Sequence, residues 1–504
     1  MKKIYLMALG TLLLMTSCLN DFLDVEPESS IPQNKFWKTE DDLKYALNGA
    51  YSQLQSVYND NGGMSNLAWF VVRGDNFIGG NAGSRAPMLD VSLNVIPSGH
   101  VTTNWNVWYK VIGSVNYALH YIPQVTTVTE SVKNKYVSEA AFLRAYCYFN
   151  LARIWGAVPL VLEPTLVPSD AGKPFRSKHK KVIEQVYKDL DLALEKSDKK
   201  TSDLEINRAN LAAIYALYVQ VCMWQCEEEG VTADYVKAVK MADELYKMKF
   251  SLHPRDSYNK IFAEGNTSEN IWTLEWSWAS NSTNNANYEM CKGFDVSLGM
   301  AKKFRELWET PDYIDDKRKF FCIDTDYNIP TRYPNDYVTV KMYKTAMRKW
   351  VEGNGKSDFM GTNNETPITL LRLSDIILLK AEAYNKLEKY DEALAELKKV
   401  RDVAGLPERK LEEYSTDPAK RMDEIENDIL DERRFELMGE TNCRIFDLMR
   451  TGKLKEVMND YFKNEILVSA PSVTVNLFSN NVWFLPVYES NIIENENLLA
   501  DPIE

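Results

Sequence analysis

The sequence predicts a mainly α-helical protein: tetratricopeptide-like helical pairs form a curved scaffold, with inserted loops and a few short strands. Three observations carry this. Apolar residues recur at helical spacing through most of the chain. One helix pair bears a repeat signature. One internal segment, about 251–368, drops the helical pattern and is rich in Asn, Ser, Gly and aromatic residues.

In chain order, Thr39-Glu-Asp-Asp42 caps a helix that carries Leu43, Leu47, Tyr51, Leu54 and Val57 on one face. Glycine and asparagine break the pattern around 59–63 and 79–83. Helices are predicted over 105–121 and 132–155, the latter ended by Gly156-Ala-Val-Pro159, which starts a short extended run. Further helices fit 180–194, 207–225, 233–248, 375–387, 391–403 and 423–438. Between them, Ile271-Trp-Thr-Leu-Glu-Trp276 and Tyr337-Val-Thr-Val-Lys341 alternate as short strands do.

The repeat signature lies in 375–403. Tyr384 is followed nine residues later by Ala393 and then by Leu397, and Ala381 stands three before it. Small residues let paired helices approach closely while large ones fill the gap, and stacked pairs bury a continuous seam and leave one curved face. The segments 132–155 with 180–194, and 207–225 with 233–248, read as weaker repeats or as ordinary helical hairpins.

The amino terminus reads as a bacterial lipoprotein signal. Lys2 and Lys3 precede the apolar run Ile4 to Leu14, which is too short to span a bilayer, and the small residues Thr16 and Ser17 lead into Cys18. A signal peptide of residues 1–17 would be removed and Cys18 acylated, followed by a polar, acidic tether from Asn20 to Glu28. Several acyl chains hold a protein to a membrane far more firmly than one. The body, 18–504, is expected as a single unit: a loop-rich part to about 130, repeat helices over about 131–250, a loop-rich insert over about 251–368, and carboxy-terminal repeat helices and tail over about 369–504.

Loss of the signal leaves 57 basic against 72 acidic side chains, a balance of −15. Such a surface disfavours nucleic acid as a partner. Of the remaining cysteines, Cys147, Cys222 and Cys443 fall in apolar helical patterns and read as buried thiols. Cys222 and Cys226 are spaced i, i+4 on one helix, with no histidine pair nearby, so no metal is assigned. No cofactor is expected. Asp324, Asp326 and Asn328 alternate as calcium ligands can, but lack the glycine and terminal glutamate of an EF-hand. No phosphate loop, nucleophile elbow or dinucleotide fingerprint occurs. Asp431-Glu-Arg-Arg434 interleaves carboxylates with arginines on one helix, which reads as ion pairing and not as acid–base chemistry. Lys380, Glu382 and the pair Lys398-Lys399 read as solvated helix faces.

Five segments in order then resemble the RagB/SusD family of outer-membrane nutrient-uptake lipoproteins. They are Trp105, Tyr109 and Asn116; the stretch Glu139-Ala-Ala-Phe-Leu-Arg through Gly156-Ala-Val-Pro-Leu160; Leu371-Arg-Leu-Ser-Asp through Tyr384; Asp431-Glu-Arg-Arg-Phe-Glu-Leu437 with Arg444, Asp447 and Arg450; and Phe484-Leu-Pro486 with Ile492 and Asn495. The stretch that usually reads Glu-Gly before its arginine is here Gly439-Glu-Thr-Asn442. The resemblance implies a tetratricopeptide-like fold. It also implies an extracellular lid on a SusC-like TonB-dependent transporter, which captures a glycan or sometimes a peptide without catalysis.

Sugar surfaces need flat rings on loops, with amides and charges to meet the hydroxyls. Two stretches supply both. The first contains Trp69, Arg73, Asp75, Asn76 and Phe77; the second contains Trp276, Trp278 and Tyr288. Trp272 and Leu274 share one side of the second stretch with Trp276 and Trp278, so part of this row belongs to the core. A glycan ligand is the leading expectation. A peptide ligand, a scaffold that holds only a transporter, and a surface hydrolase are its rivals.

Overall fold

The computed structural model describes residues 36–59, 70–79, 86–167, 172–202, 204–277, 298–322, 365, 367–441 and 444–504. Its longer helices are α1 (Glu40–Asn59), α2 (Asn106–Tyr121), α3 (Glu130–Trp155), α4 (His179–Lys196), α5 (Leu211–Met223), α6 (Tyr235–Tyr246), α7 (Leu373–Lys386), α8 (Tyr390–Ala404), α9 (Pro418–Glu436), α10 (Arg444–Arg450) and α11 (Leu454–Tyr461). Its strands are β1 (Phe77–Gly79), β2 (Asn270–Leu274), β3 (Leu298–Met300) and β4 (Ile368–Arg372).

Local chemistry sets the helix ends. Thr39 and Asp42 form a reciprocal cap on α1: the Thr39 hydroxyl accepts from the Asp42 amide at 3.2 Å, and the Asp42 carboxylate accepts from the Thr39 amide at 2.7 Å. Asn210, Asp234 and Asp417 cap α5, α6 and α9 with their side chains. Pro418 stands at the start of α9, where its missing N–H is no loss. Gly156 and Gly405 close α3 and α8 with φ of 68° and 78°.

Consecutive helices pack as α1–α2, α3–α4, α5–α6 and α7–α8, with α2 on α3, α4 on α5, and α6 and α9 on α7. Alanines sit in these seams: Ala140, Ala145 and Ala152 on α3, Ala212 and Ala216 on α5, Ala238 and Ala242 on α6, Ala381 on α7 and Ala393 on α8, all fully buried. Small side chains there let the axes approach. Leu397, Leu217 and Leu190 fill the remaining space, each contributing about 1.5–3 kcal/mol through burial. The pair expected from the repeat signature is thus α7–α8, and both weaker candidates pair as well.

Helix α3 is buried on every face from Tyr136 to Trp155, which is why its sequence shows no clean amphipathic stripe. The sheets are two antiparallel ribbons, β1–β3 and β2–β4. In the second, Asn270 faces Arg372 and Leu274 faces Ile368, and both strands are buried throughout. The tail returns to the body: the Ile503 amide donates to Arg176 at 2.8 Å and its carbonyl accepts from Lys178 at 2.9 Å.

Two local expectations need correction. Helix α5 ends at Met223, so Cys226 stands beyond it, bridged to Val231, and does not share a helix face with Cys222. Lys380 and Glu382 are 4% and 2% exposed. Their helix is wrapped by α6, α8 and α9, and they pair with Asp243 and Glu396, and with Arg450. The strand expected at 337–341 and the calcium-like residues Asp324, Asp326 and Asn328 lie outside the described residues.

Candidate functional site

The two stretches expected to meet a ligand are joined at their roots. Ribbon β1–β3 pairs Phe77 with Met300, Ile78 with Gly299 and Gly79 with Leu298. Segment 80–85 therefore leaves, and segment 278–297 arrives, at the same end of one ribbon. The Asn76 carbonyl accepts from the Ala301 amide at 2.8 Å, and the Phe77 and Phe304 rings meet edge to face at 6.2 Å.

Of the expected ligand contacts, Trp69, Trp278 and Tyr288 lie outside the described residues, as does Cys18. Arg73, Asp75, Asn76, Phe77 and Trp276 are placed, and all five are buried, at 1–7% exposure. In the structure each of the five is engaged inside the body. Arg73 donates to the Trp483 carbonyl and lies 4.9 Å over its ring. Asp75 meets Arg434 at 2.9 Å and Arg444 at 3.0 Å. Burial pushes the Asp75 carboxyl up, but the two guanidiniums outweigh this and hold it below its ordinary range. Asn76 accepts from Arg434. Trp276 continues the buried row of Trp272 and Leu274 beyond β2.

Behind the ribbon stands a larger ionic cluster, organised by α9. Glu436 takes Arg255 at 2.6 Å and Arg372 on one oxygen, and Arg318 at 2.8 Å on the other. Glu432 joins Arg318 to Arg401, Arg372 forks onto Glu440, and Arg318 forks onto Asp316. Glu269 bridges Arg255 and Arg372. Arg433 pairs with Asp375 and Asp447. Burial opposes a charge on Glu436, yet Arg255, Arg372 and Arg318 hold its carboxyl well below the ordinary range. Glu436 and Glu432 are fully buried, so Asp431-Glu-Arg-Arg434 is a structural ion-paired helix. Sequence reasoning missed Arg255, Glu269, Arg318 and Arg401 as partners, since nothing in their spacing announces contacts with α9; burial alone marks them.

Elsewhere the described surface offers a polar cleft of about 400 Å³ over the early turns of α1 and α3, lined by Glu40, Asp41, Lys44, Lys135, Glu205 and Arg208 among others. Its charges alternate in sign and its one ring, Tyr136, is buried, so it provides no flat face for a sugar. Among the described residues no group of three or more His, Cys, Asp or Glu side chains is placed to hold a metal ion.

Comparison with known proteins supports this layout. Residues 219–502 match the model of the SusD family, and residues 21–223 match a model described as starch-binding associating with outer membrane. SusD-like protein P38 of Formosa agariphila is 29% identical over 497 residues, covering 90% of this chain and 91% of that one. A SusD-like protein of Bacteroides ovatus is 22% identical, covering 100% and 98%. Among solved structures, a SusD superfamily protein from Bacteroides vulgatus superposes with a TM-score of 0.74 at 19% identity, covering 92% and 98%. A laminarin-binding SusD-like protein superposes with a TM-score of 0.70 at 20% identity, covering 90% and 97%. With a family model matching more than half its length, this chain belongs to the SusD/RagB family.

Proposed function

We propose that the protein is a lipoprotein anchored through Cys18 at the cell surface, where it binds a nutrient glycan and hands it to a SusC-like TonB-dependent transporter without catalysis. The observation carrying the glycan reading is that a laminarin-binding relative shares the fold along nearly the whole chain. The ribbon fits the same reading: the aromatic- and asparagine-rich segment that carries Trp278 and Tyr288 joins the body at β3. Ligand contact is assigned to the loop rings Trp69, Trp278 and Tyr288, because rings meet the apolar face of a sugar while amides and carboxylates take its hydroxyls. A non-catalytic role fits the paired state of the α9 carboxylates, since general acid–base work needs carboxyls facing an open cleft.

The test is affinity electrophoresis and calorimetry of the mature protein with laminarin, soluble starch and a wider polysaccharide panel. A retained polysaccharide should lose most of its affinity in Trp278→Ala/Tyr288→Ala. Equal binding by the double variant overturns the contact assignment. Retention of peptides with no retained glycan transfers the reading to a peptide-binding protein, and retention of neither leaves a transporter scaffold.

A further inference from the structure

Asp75 joins the carboxy-terminal helices to both loop roots. Its carboxylate receives Arg434 from α9 and Arg444 from α10, and Arg434 also donates to the Asp75 carbonyl at 3.0 Å and to the Asn76 side chain. Asn76 passes the connection on through the Ala301 amide to the residue just after β3. The Arg434 guanidinium lies 4.4 Å over the Phe304 ring, which in turn holds Phe77. A Cβ at Gly74 would stand 3.2 Å from the Arg444 Cβ, a tight contact, so the chain presses close to α10 here. On the far side, the Lys302 and Lys303 amides donate to Glu465.

Ribbon β1–β3 has three residue pairs, and two short strands do not hold together alone in water. Its position must come from what grips it. Among the described residues Arg434 and Arg444 compensate the Asp75 carboxylate most strongly, so removing its charge leaves these two buried cations to share the remaining nearby carboxylate, Asp431.

We propose that Asp75 is a positioning residue for ligand binding: its two arginine contacts fix the ribbon, and through β3 the point where the segment carrying Trp278 and Tyr288 joins the body. This rests on the glycan-binding reading, but places Asp75 outside ligand contact. Fork geometry makes the arrangement specific, because a guanidinium fixes direction where an ammonium supplies only charge.

The test uses the mature protein carrying Asp75→Asn. Hydrogen exchange, which needs no ligand, should accelerate about tenfold or more at Phe77–Gly79 and Leu298–Ala301, and stay at wild-type rates in α3 and α7. Affinity for laminarin or soluble starch, whichever wild type retains, should fall about tenfold. A disulfide across the ribbon, Gly79→Cys/Leu298→Cys at positions paired in register, should restore affinity to Asp75→Asn when oxidised and lose the effect on reduction. A role in stability alone would not give that redox-dependent recovery. Wild-type exchange at the ribbon, unchanged affinity, or failure of the disulfide to restore binding each overturns the proposal. Should Asp75→Asn fail to fold, Arg434→Lys, which keeps the charge and loses the fork across Asp75 and Asn76, must show the same local acceleration, and its absence overturns the proposal equally. If wild type retains neither polysaccharide, the glycan reading fails for those probes while exchange still decides the role of Asp75 at the ribbon.

Discussion

Replacing Glu436 by Gln probes what the α9 motif is for. The side chain is fully buried and accepts from three guanidiniums, two on one oxygen and one on the other. Glutamine keeps the shape but turns one acceptor into an N–H₂ donor. If the amide oxygen stays toward Arg255 and Arg372, the N–H₂ faces Arg318, donor against donor. The opposite flip breaks two contacts instead of one. Breaking one partner of a buried ion pair costs about 3–5 kcal/mol, because the remaining charge keeps its desolvation penalty. The exposed pair Lys303–Asp460 is a control that should cost at most about 1 kcal/mol when broken by Asp460→Asn. Urea denaturation followed by tryptophan fluorescence reads both. A loss under about 1 kcal/mol in Glu436→Gln would refute the structural assignment of the motif and reopen a chemical role for its carboxylates.

Other expectations follow from the same geometry. His179 is fully buried, accepts from the Trp224 indole at 3.1 Å and meets the Phe484 ring, and burial lowers its value to about 4 from 6.5. A group neutral when folded and protonated when unfolded contributes stability that is complete above pH 6.5 and declines as pH falls toward 4. At pH 5 wild type should lose about 2 kcal/mol more than His179→Gln, relative to pH 7.5, and parallel pH profiles would contradict this. At Gly156 a Cβ would stand 2.8 Å from the Phe484 ring at a φ of 68°, so Gly156→Ala should lower stability by about 1–3 kcal/mol in thermal unfolding. Cys18→Ala should abolish incorporation of labelled palmitate and release the protein from washed membranes.

The sequence made the helices legible where an apolar stripe runs against one neighbouring layer, as in α1, and where a small-residue pattern marks a seam, as in α7 and α8. The pairing of α1 with α2 carried no such mark, because a long loop-bearing stretch separates the two helices. Helices α10 and α11 are short: α11 places Leu454, Val457, Met458 and Tyr461 at helical spacing, but over two turns only, and α10 is buried from Ile445 to Arg450, so no polar face marks it. Charge misled in both directions. Lys380 and Glu382 looked solvated, yet α7 is enclosed and its charges are paired inward. Arg73, Asp75 and Asn76 looked like a ligand-facing cluster, yet their partners, Trp483 for Arg73 and Arg434 and Arg444 for the other two, lie far along the chain, where sequence spacing says nothing about contact. The polar residues that follow Trp69 serve internal anchorage. Trp276 was partly legible, since its row with Trp272 and Leu274 already suggested the core.

The most direct measurement of the central claim incubates the purified mature chain with a polysaccharide array and reads retention and newly formed reducing ends together. The account expects at least one glycan to be held and none to be shortened. Reducing ends that accumulate in proportion to the protein would contradict it, and so would an array on which no glycan is retained.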